Sequence, residues 1–309
     1  MTNQPNSPTR GPVSRRGAVQ RLAAAGLALG ASAATTHTMN ASPTPAAPEP
    51  FRVTKGRIRQ SAVWWCFKPM TADELAGHAA ALGMPAIELV PPEEWPKLRQ
   101  RGLTCALAPS HGFAKGFAHR EEHTECLAML HERIDQAAAA GVPSVITFSG
   151  FRRGLSPAEG RANMLDGLRQ IAGHAEKQKV TVCLEMLNSR VNAEMRGHPD
   201  YFCDDIDAAV EICRTVGSER VKVLFDIYHV QIMHGDIISR IRQHHPWIGH
   251  YHTAGNPGRV ELDTTQELYY PPIMAAIAET GYHGFVGHEF IPTRDPVAGL
   301  TEAVRLCDV

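Results

Sequence analysis

The sequence predicts an α/β protein built as a (β/α)8 TIM barrel, and three observations carry that expectation. Short apolar or β-branched runs recur eight times, each followed by a longer segment with helical periodicity. Repeated strand–helix units imply a parallel sheet, because parallel neighbours need a long crossover and a helix usually supplies it. Eight such units in about 260 residues is the usual size of a closed barrel. An open doubly wound sheet is the structural rival, but it usually carries a Gly-rich phosphate turn after its first strand. Trp64-Trp65-Cys66-Phe67-Lys68 is nothing of that kind.

Taken in chain order, the first residues stand outside this pattern. Ser14-Arg15-Arg16 precedes an alanine-rich apolar run over 22–31, and Ala31-Ser32-Ala33 follows as a small-residue cleavage site. A basic region, a short apolar region and an A-x-A end describe an export signal, here of the twin-arginine type. The expected organisation is a twin-arginine signal peptide over 1–33, a Thr/Ser/Pro/Ala-rich flexible linker over 34–52 and a single barrel domain over 53–309. That organisation implies a periplasmic or otherwise extracytoplasmic protein with the twin-arginine translocon as a transient partner.

Strands are expected at 61–66, 86–90, 103–108, 144–148, 180–186, 221–225, 248–253 and 284–290, each short and apolar. Helices are expected at 71–82, 121–140, 157–179, 205–216 and 232–244. Gly83, Gly141 and Gly281 stand where three helices should stop, and Pro85 and Pro143 follow where a helix cannot continue.

Composition excludes several function classes. The chain has 31 Lys+Arg against 32 Asp+Glu, a net charge of −1, which argues against nucleic acid as a partner. With 43% apolar and 20% charged residues it is not disordered in bulk, and no run of 18 strongly apolar residues suggests multiple membrane spans. The seven cysteines show no C-x-x-C pair and no zinc spacing, and their odd number argues against a complete disulfide framework. Cys105 and Cys183 lie inside apolar runs, where cysteine behaves as a small hydrophobe.

The chemistry is expected at the carboxyl ends of the strands, which converge on one face of a barrel. Strand five ends at Glu185, strand six at Asp226, strand seven at His250-Tyr251-His252 and strand eight at His288-Glu289. The spacings from 185 to 226 to 252 to 289 are 41, 26 and 37 residues, each fitting one βα unit with a loop. Ionised carboxylates ending apolar strands are costly to bury without a partner. A divalent cation held by Glu185, Asp226, His252 and Glu289 would supply one. Three carboxylates and one imidazole make a hard, oxygen-rich set that favours Mn²⁺ or Mg²⁺, with Co²⁺ or Zn²⁺ able to bind as well. Alternation along the strand points both histidines to one side, with His252 the deeper into the rim and His250 a core residue lower in the barrel.

Three further residues are candidate substrate contacts. His229 lies three residues after Asp226, on the segment leaving strand six. Arg259 lies in the turn-rich run Gly255-Asn256-Pro257-Gly258-Arg259, where a guanidinium could clamp a carboxylate or hydroxyls beside the metal. Trp65, with Trp64 and Phe67, would wall the pocket.

Several runs together resemble the hydroxypyruvate isomerase family, one of the xylose isomerase-like barrels. They are Cys-Leu-Glu-Met-Leu-Asn-Ser (183–189), Asp-Ile-Tyr-His-Val-Gln (226–231), Gly-His-Tyr-His-Thr-Ala-Gly-Asn-Pro-Gly-Arg (249–259) and His-Glu-Phe-Ile-Pro-Thr-Arg (288–294). The resemblance extends from Ile58 to Arg294 and includes Pro-Glu-Glu-Trp-Pro (92–96) and Phe-Ser-Gly-Phe-Arg-Arg-Gly (148–154). It implies one divalent metal on Glu185, Asp226, His252 and Glu289, with Glu185 and Glu289 also acting as an acid/base pair. It also implies substrate contacts from His229 and Arg259. The expected reaction is isomerisation of a small α-hydroxy-carbonyl compound through an enediolate, hydroxypyruvate giving tartronate semialdehyde.

A sugar 3-epimerase or a 3-keto-glycoside lyase would use the same groups, and an exported protein would meet such substrates. A non-catalytic sugar-binding barrel is the alternative from another class. The endonuclease branch of the same barrels needs extra His and Asp ligands, and strand four ends Phe148-Ser149-Gly150 without one. A small keto acid or sugar is the expected partner, and a homo-oligomer is compatible with the sequence.

Overall fold

A computed structural model describes residues 51–309. The expected signal peptide over 1–33 and all but the last two residues of the expected linker lie outside the described residues. Eight parallel strands follow one another: β1 (Arg59–Ala62), β2 (Ala86–Ile87), β3 (Thr104–Cys105), β4 (Ser144–Thr147), β5 (Thr181–Glu185), β6 (Val221–Asp226), β7 (Ile248–Thr253) and β8 (Phe285–His288). Six form one curled sheet in the order β1-β8-β7-β6-β5-β4, and β2 pairs with β3. Isolated parallel bridges, Val63 with Glu88 and Ala108 with Val145, join that short pair to β1 and β4. Their backbone bonds are ordinary: Glu88 N–H donates to Ala62 O at 2.9 Å, and Ala108 N–H to Ser144 O at 2.8 Å. The ring is thereby closed, which removes the exposed edges an open sheet would present.

The helices are α1 (Ala72–Leu82), α2 (Trp95–Gln100), α3 (His123–Ala140), α4 (Pro157–Gln178), α5 (Ile206–Val216), α6 (Ile227–Met233), α7 (Ile237–His244), α8 (Tyr270–Glu279) and α9 (Pro296–Cys307). Local chemistry sets several ends. Thr71 and Glu74 form a reciprocal capping box at the start of α1, and Gly83 and Gly141 end α1 and α3 at φ of 79° and 72°, where a side chain would be strained. All seven cysteines are free and buried.

Two expectations are corrected. The first strand lies earlier than 61–66, and Trp64–Phe67 forms a 3-10 turn. Aromatic residues favour strands locally, but here Trp64 N–H closes the β1–β2 junction on Glu88 O and Cys66 N–H turns back to Val63 O. The helix expected over 232–244 is two helices. The first starts at Ile227, directly after β6, and the break falls at Gly235 and Asp236, both with positive φ (66° and 52°). Apolar periodicity continues across the break because both helices face the barrel, which is why the sequence reads as one element.

Candidate active site

The parallel register gathers the strand ends on one rim. Glu185 is the last residue of β5 and Asp226 the last of β6; Asp226 is opposite His252 of β7, and His252 is opposite Gly287 of β8. Glu289 follows β8 directly, its N–H donating to Thr253 O at 2.9 Å. One ligand atom from each of Glu185, Asp226, His252 and Glu289 lies within 4.8 Å of all the others. All four are buried, Asp226 and His252 completely.

The same four residues present Glu185 Oε1, Asp226 Oδ2, His252 Nδ1 and Glu289 Oε2 as buried atoms without a well-formed hydrogen bond among the described residues. His252 Nδ1 lies 2.8 Å from Glu289 Oε2 and 3.6 Å from Glu185 Oε1. Asp226 divides its carboxylate between two tasks. Its Oδ1 accepts from Tyr228 N–H at 2.8 Å and His229 N–H at 3.3 Å, capping α6, while Oδ2 is left facing the cluster.

Three buried carboxylates this close repel one another, away from the screening of bulk solvent. Burial pushes the Asp226 carboxyl up to about 7, with Arg259 opposing and Glu289 adding to the rise. Burial also raises Glu185, against His252. Glu289 goes the other way: burial would raise it, but Arg259 and His252 beside it hold it below the ordinary range. One guanidinium does not balance the set. Four convergent buried donors, three of them carboxylate oxygens that share one guanidinium, fit a hard divalent cation. The structure thus contains a candidate metal-binding cluster.

Arg259 is buried, with φ 56°, in the loop after β7. Its Nη2 lies 2.6 Å from Glu289 Oε2 and 3.6 Å from Asp226 Oδ2, and its Nη1 donates to Met195 O at 2.7 Å. The guanidinium stands over Trp65, 5.3 Å from the ring centre, and over Tyr228 at 5.8 Å. Trp65 lies on the turn after β1, and its indole N–H donates to Glu289 Oε1 at 3.3 Å. His229 lies in the first turn of α6. Its Nδ1 accepts from both the backbone N–H (3.0 Å) and the side-chain amide (2.7 Å) of Asn188, so the ring proton sits on Nε2. Burial, then Arg259, holds this imidazole neutral. Two buried donors, Arg259 Nε and His229 Nε2, have no hydrogen-bond acceptor among the described residues.

His250 lies below His252, its Nε2 2.7 Å from Glu88 Oε2. Glu88 escapes a reading that places it inside a strand over 86–90. Its signal was present: β2 ends at Ile87, so Glu88 is another carboxylate closing an apolar run. Asn188, Tyr201 and the loop carbonyls had no sequence signal, because their role depends on how the segment after β5 folds back. Asn188 Nδ2 and Tyr228 OH both donate to Arg196 O, at 2.9 and 2.8 Å, holding that loop over the rim. Two cavities of about 590 Å³ flank Lys68 and Pro69 at the outer edge, and neither is lined by the four cluster residues.

Comparison with known proteins agrees with this architecture. The sequence profile of the xylose isomerase-like TIM barrel family matches residues 77–308. The 2-oxo-tetronate isomerase of Cupriavidus necator is 34% identical over 239 residues, covering 72% of this chain and 88% of that protein. A human relative carrying a hydroxypyruvate isomerase name is 33% identical over 177 residues, 56% of this chain; the chain spans 62% of that protein's length. Among solved structures, a family 2 AP endonuclease from Brucella melitensis superposes with a TM-score of 0.71 at 26% identity, covering 79% of this chain and 97% of that one. On its strand order, its rim and the extent of the profile match, the chain belongs to the xylose isomerase-like TIM barrel family.

Proposed function

We propose that the protein is a divalent-metal-dependent isomerase of a small α-hydroxy-carbonyl acid, hydroxypyruvate or its four-carbon homologue 2-oxo-tetronate, acting outside the cytoplasm. The observation that carries the reading is the convergence of four buried donor atoms, three carboxylates against one guanidinium, two of them on glutamates that approach from β5 and from the end of β8. Glu185, Asp226, His252 and Glu289 would hold the ion, and the oxygen-rich set favours Mn²⁺ or Mg²⁺. When bound, it supplies Lewis-acid polarisation of the substrate's carbonyl and neighbouring hydroxyl.

The remaining steps belong to the chain's own groups. One glutamate takes the proton from the hydroxyl-bearing carbon, the other, or the same one, returns a proton to the former carbonyl carbon, and the hydroxyl proton passes from one oxygen to the other. The unused Nε–H of Arg259 and Nε2–H of His229 are donors in a buried site, suited to a substrate carboxylate and hydroxyl. Trp65 holds Glu289 through its indole N–H, covers the guanidinium and keeps water from the reacting carbons. The acid class is favoured over a neutral sugar because a cation and a second donor are already built beside the cluster. Relatives named for keto-acid isomerisation support the same choice.

The test is proton NMR in D2O with Mg²⁺, following hydroxypyruvate and 2-oxo-tetronate beside a 3-keto-glucoside. Conversion of a keto acid with deuterium incorporation at the carbon next to the carbonyl is the expected result. Inertness toward both acids, with aglycone release or deuterium uptake from the keto-glucoside, would overturn the acid reading and leave the shared metal–glutamate chemistry. The proposed export is checked separately. Expression with Arg15 and Arg16 intact should yield a periplasmic protein shortened by cleavage after Ala33, and the double substitution Arg15→Lys with Arg16→Lys should keep it inside.

A further inference from the structure

Below the cation cluster lies a second group of ionisable side chains that the proposed reaction leaves unused. Glu88 is fully buried at the end of β2, enclosed by β1, β7 and β8. Its Oε2 lies 2.7 Å from His250 Nε2, its Oε1 lies 3.7 Å from His252 Nε2, and Oε1 accepts from Ser61 Oγ at 2.9 Å. The two nitrogens of His252 therefore face opposite groups: Nδ1 meets Glu185 and Glu289, and Nε2 meets Glu88. A neutral imidazole has one lone pair and one proton, so a ring that offers Nδ1 to a cation must carry its proton on Nε2. Glu88 Oε1, 3.7 Å from Nε2, is beyond hydrogen-bond distance and acts there as a buried charge, whereas Glu289 Oε2 stands nearer to Nδ1 at 2.8 Å. With a cation taken up on the Nδ1 side, Glu88 is the charge that faces the Nε2–H.

The room for Glu88 is made by one glycine. A Cβ at Gly287 would stand 1.6 Å from Glu88 Oε1 and 2.9 Å from His252 Cδ2. A buried carboxylate is otherwise costly, and no residue of the rim chemistry needs one at this depth.

We propose that Glu88 is a positioning residue for the cation site: its buried charge favours the His252 tautomer with the proton on Nε2 and the Nδ1 lone pair aimed at the cluster, while His250 and Ser61 hold the carboxylate. This inference rests on the metal reading above. Glu88, His250 and His252 also have donor atoms within 4.8 Å of one another, so they are themselves a candidate cation cluster. Glu88 Oε2 and His250 Nε2 are in direct contact at 2.7 Å, which leaves no room for an ion between them and favours the positioning role.

The experiment uses the full chain, stripped with a chelator and reloaded. Mn²⁺ affinity and stoichiometry are read by calorimetry, the visible spectrum of the Co²⁺ form reports ligand geometry, and long-range proton–nitrogen NMR of the stripped protein reports the His252 tautomer. Glu88→Gln keeps the shape and removes the charge. Expected are a 10- to 100-fold loss of Mn²⁺ affinity, a changed Co²⁺ spectrum and a redistributed tautomer signal. Unchanged Mn²⁺ affinity and Co²⁺ spectrum in Glu88→Gln, with wild type binding one ion, would overturn the positioning role alone. Two ions per wild-type chain, one of them lost in Glu88→Gln, would make Glu88 a ligand and overturn it differently. A wild-type chain that binds neither Mn²⁺ nor Co²⁺ would bring down the metal reading and this inference together. Should Glu88→Gln fail to fold, Ser61→Ala removes the hydroxyl that holds Oε1. It should weaken Mn²⁺ binding several-fold, and an unchanged affinity there also overturns the role.

Discussion

Replacing Gly287 by alanine is the most searching test of the barrel's interior. The added methyl would lie 1.6 Å from Glu88 Oε1, 2.7 Å from Glu88 Cδ and 2.9 Å from His252 Cδ2. Ordinary contact begins near 3.4 Å, so the carboxylate would have to retreat by roughly 1.8 Å. It has nowhere to go, since His250 lies 2.7 Å away on one oxygen and Ser61 donates at 2.9 Å to the other. Overpacking of this kind costs about 1–3 kcal/mol, and separating a buried carboxylate from its partners costs about 3–5 kcal/mol. The two overlap, because one movement relieves the clash and breaks the pairing, so the expected loss is about 3–6 kcal/mol. For a domain of this size that lowers Tm by roughly 6–20 °C. Urea unfolding of the chelator-treated protein, with Cm and m both fitted, is the assay. Gly173→Ala is the control: this exposed glycine of α4 has nothing within 4 Å of an added Cβ, so alanine there should stabilise by about 0.5–1 kcal/mol. A Gly287→Ala loss below about 1 kcal/mol at unchanged m would refute the claim that Glu88 is held rigidly against β8.

Three other outcomes follow from single contacts. Asp226→Asn should keep the α6 cap and the fold while weakening Mn²⁺ binding by at least about tenfold, whereas Asp226→Ala should lose a further ~1 kcal/mol of stability; calorimetry and thermal melts separate the two jobs of this carboxylate. Glu289→Gln should lower turnover of the keto acid by about 10²–10⁴-fold, measured by NMR at saturating substrate, and retention of full turnover would remove this residue from the proton path. Tyr201→Phe removes a buried hydroxyl that accepts from Ser149 N–H and donates to Glu185 O, both at 3.1 Å. It should cost about 1–3 kcal/mol, read as a shift in urea midpoint, because Ser149 N–H is left buried without an acceptor.

The barrel was legible because its signals are local and repeated. Eight apolar runs, each a strand's length and each followed by a helical period, leave few arrangements other than a parallel ring. The rim residues were legible for the same reason: Glu185, Asp226 and Glu289 each close or directly follow an apolar strand, and an acidic residue there is costly unless something pairs with it. Less visible was the point where a strand stops. Glu88 has the same pattern, but β2 is two residues long and the run continues as Leu89-Val90, so the carboxylate looked like an interior strand residue. The tandem tryptophans looked like strand by aromatic propensity, and it is the hydrogen bond from Cys66 N–H back to Val63 O that shows the chain turning there.

What the sequence determined by itself was therefore the repeat, the parallel topology and which acidic and imidazole groups end the strands. Periodicity and the cost of burying charge are properties of the chain before it folds. Tertiary structure decided which atom of each group faces which neighbour. Asp226 gives one oxygen to its own helix and the other to the cluster, His252 turns one nitrogen to the rim and the other to Glu88, and Arg259 reaches both Glu289 and the carbonyl of Met195. Apart from the helix cap at Asp226, those partners lie tens of residues apart, and only the closed ring brings them together.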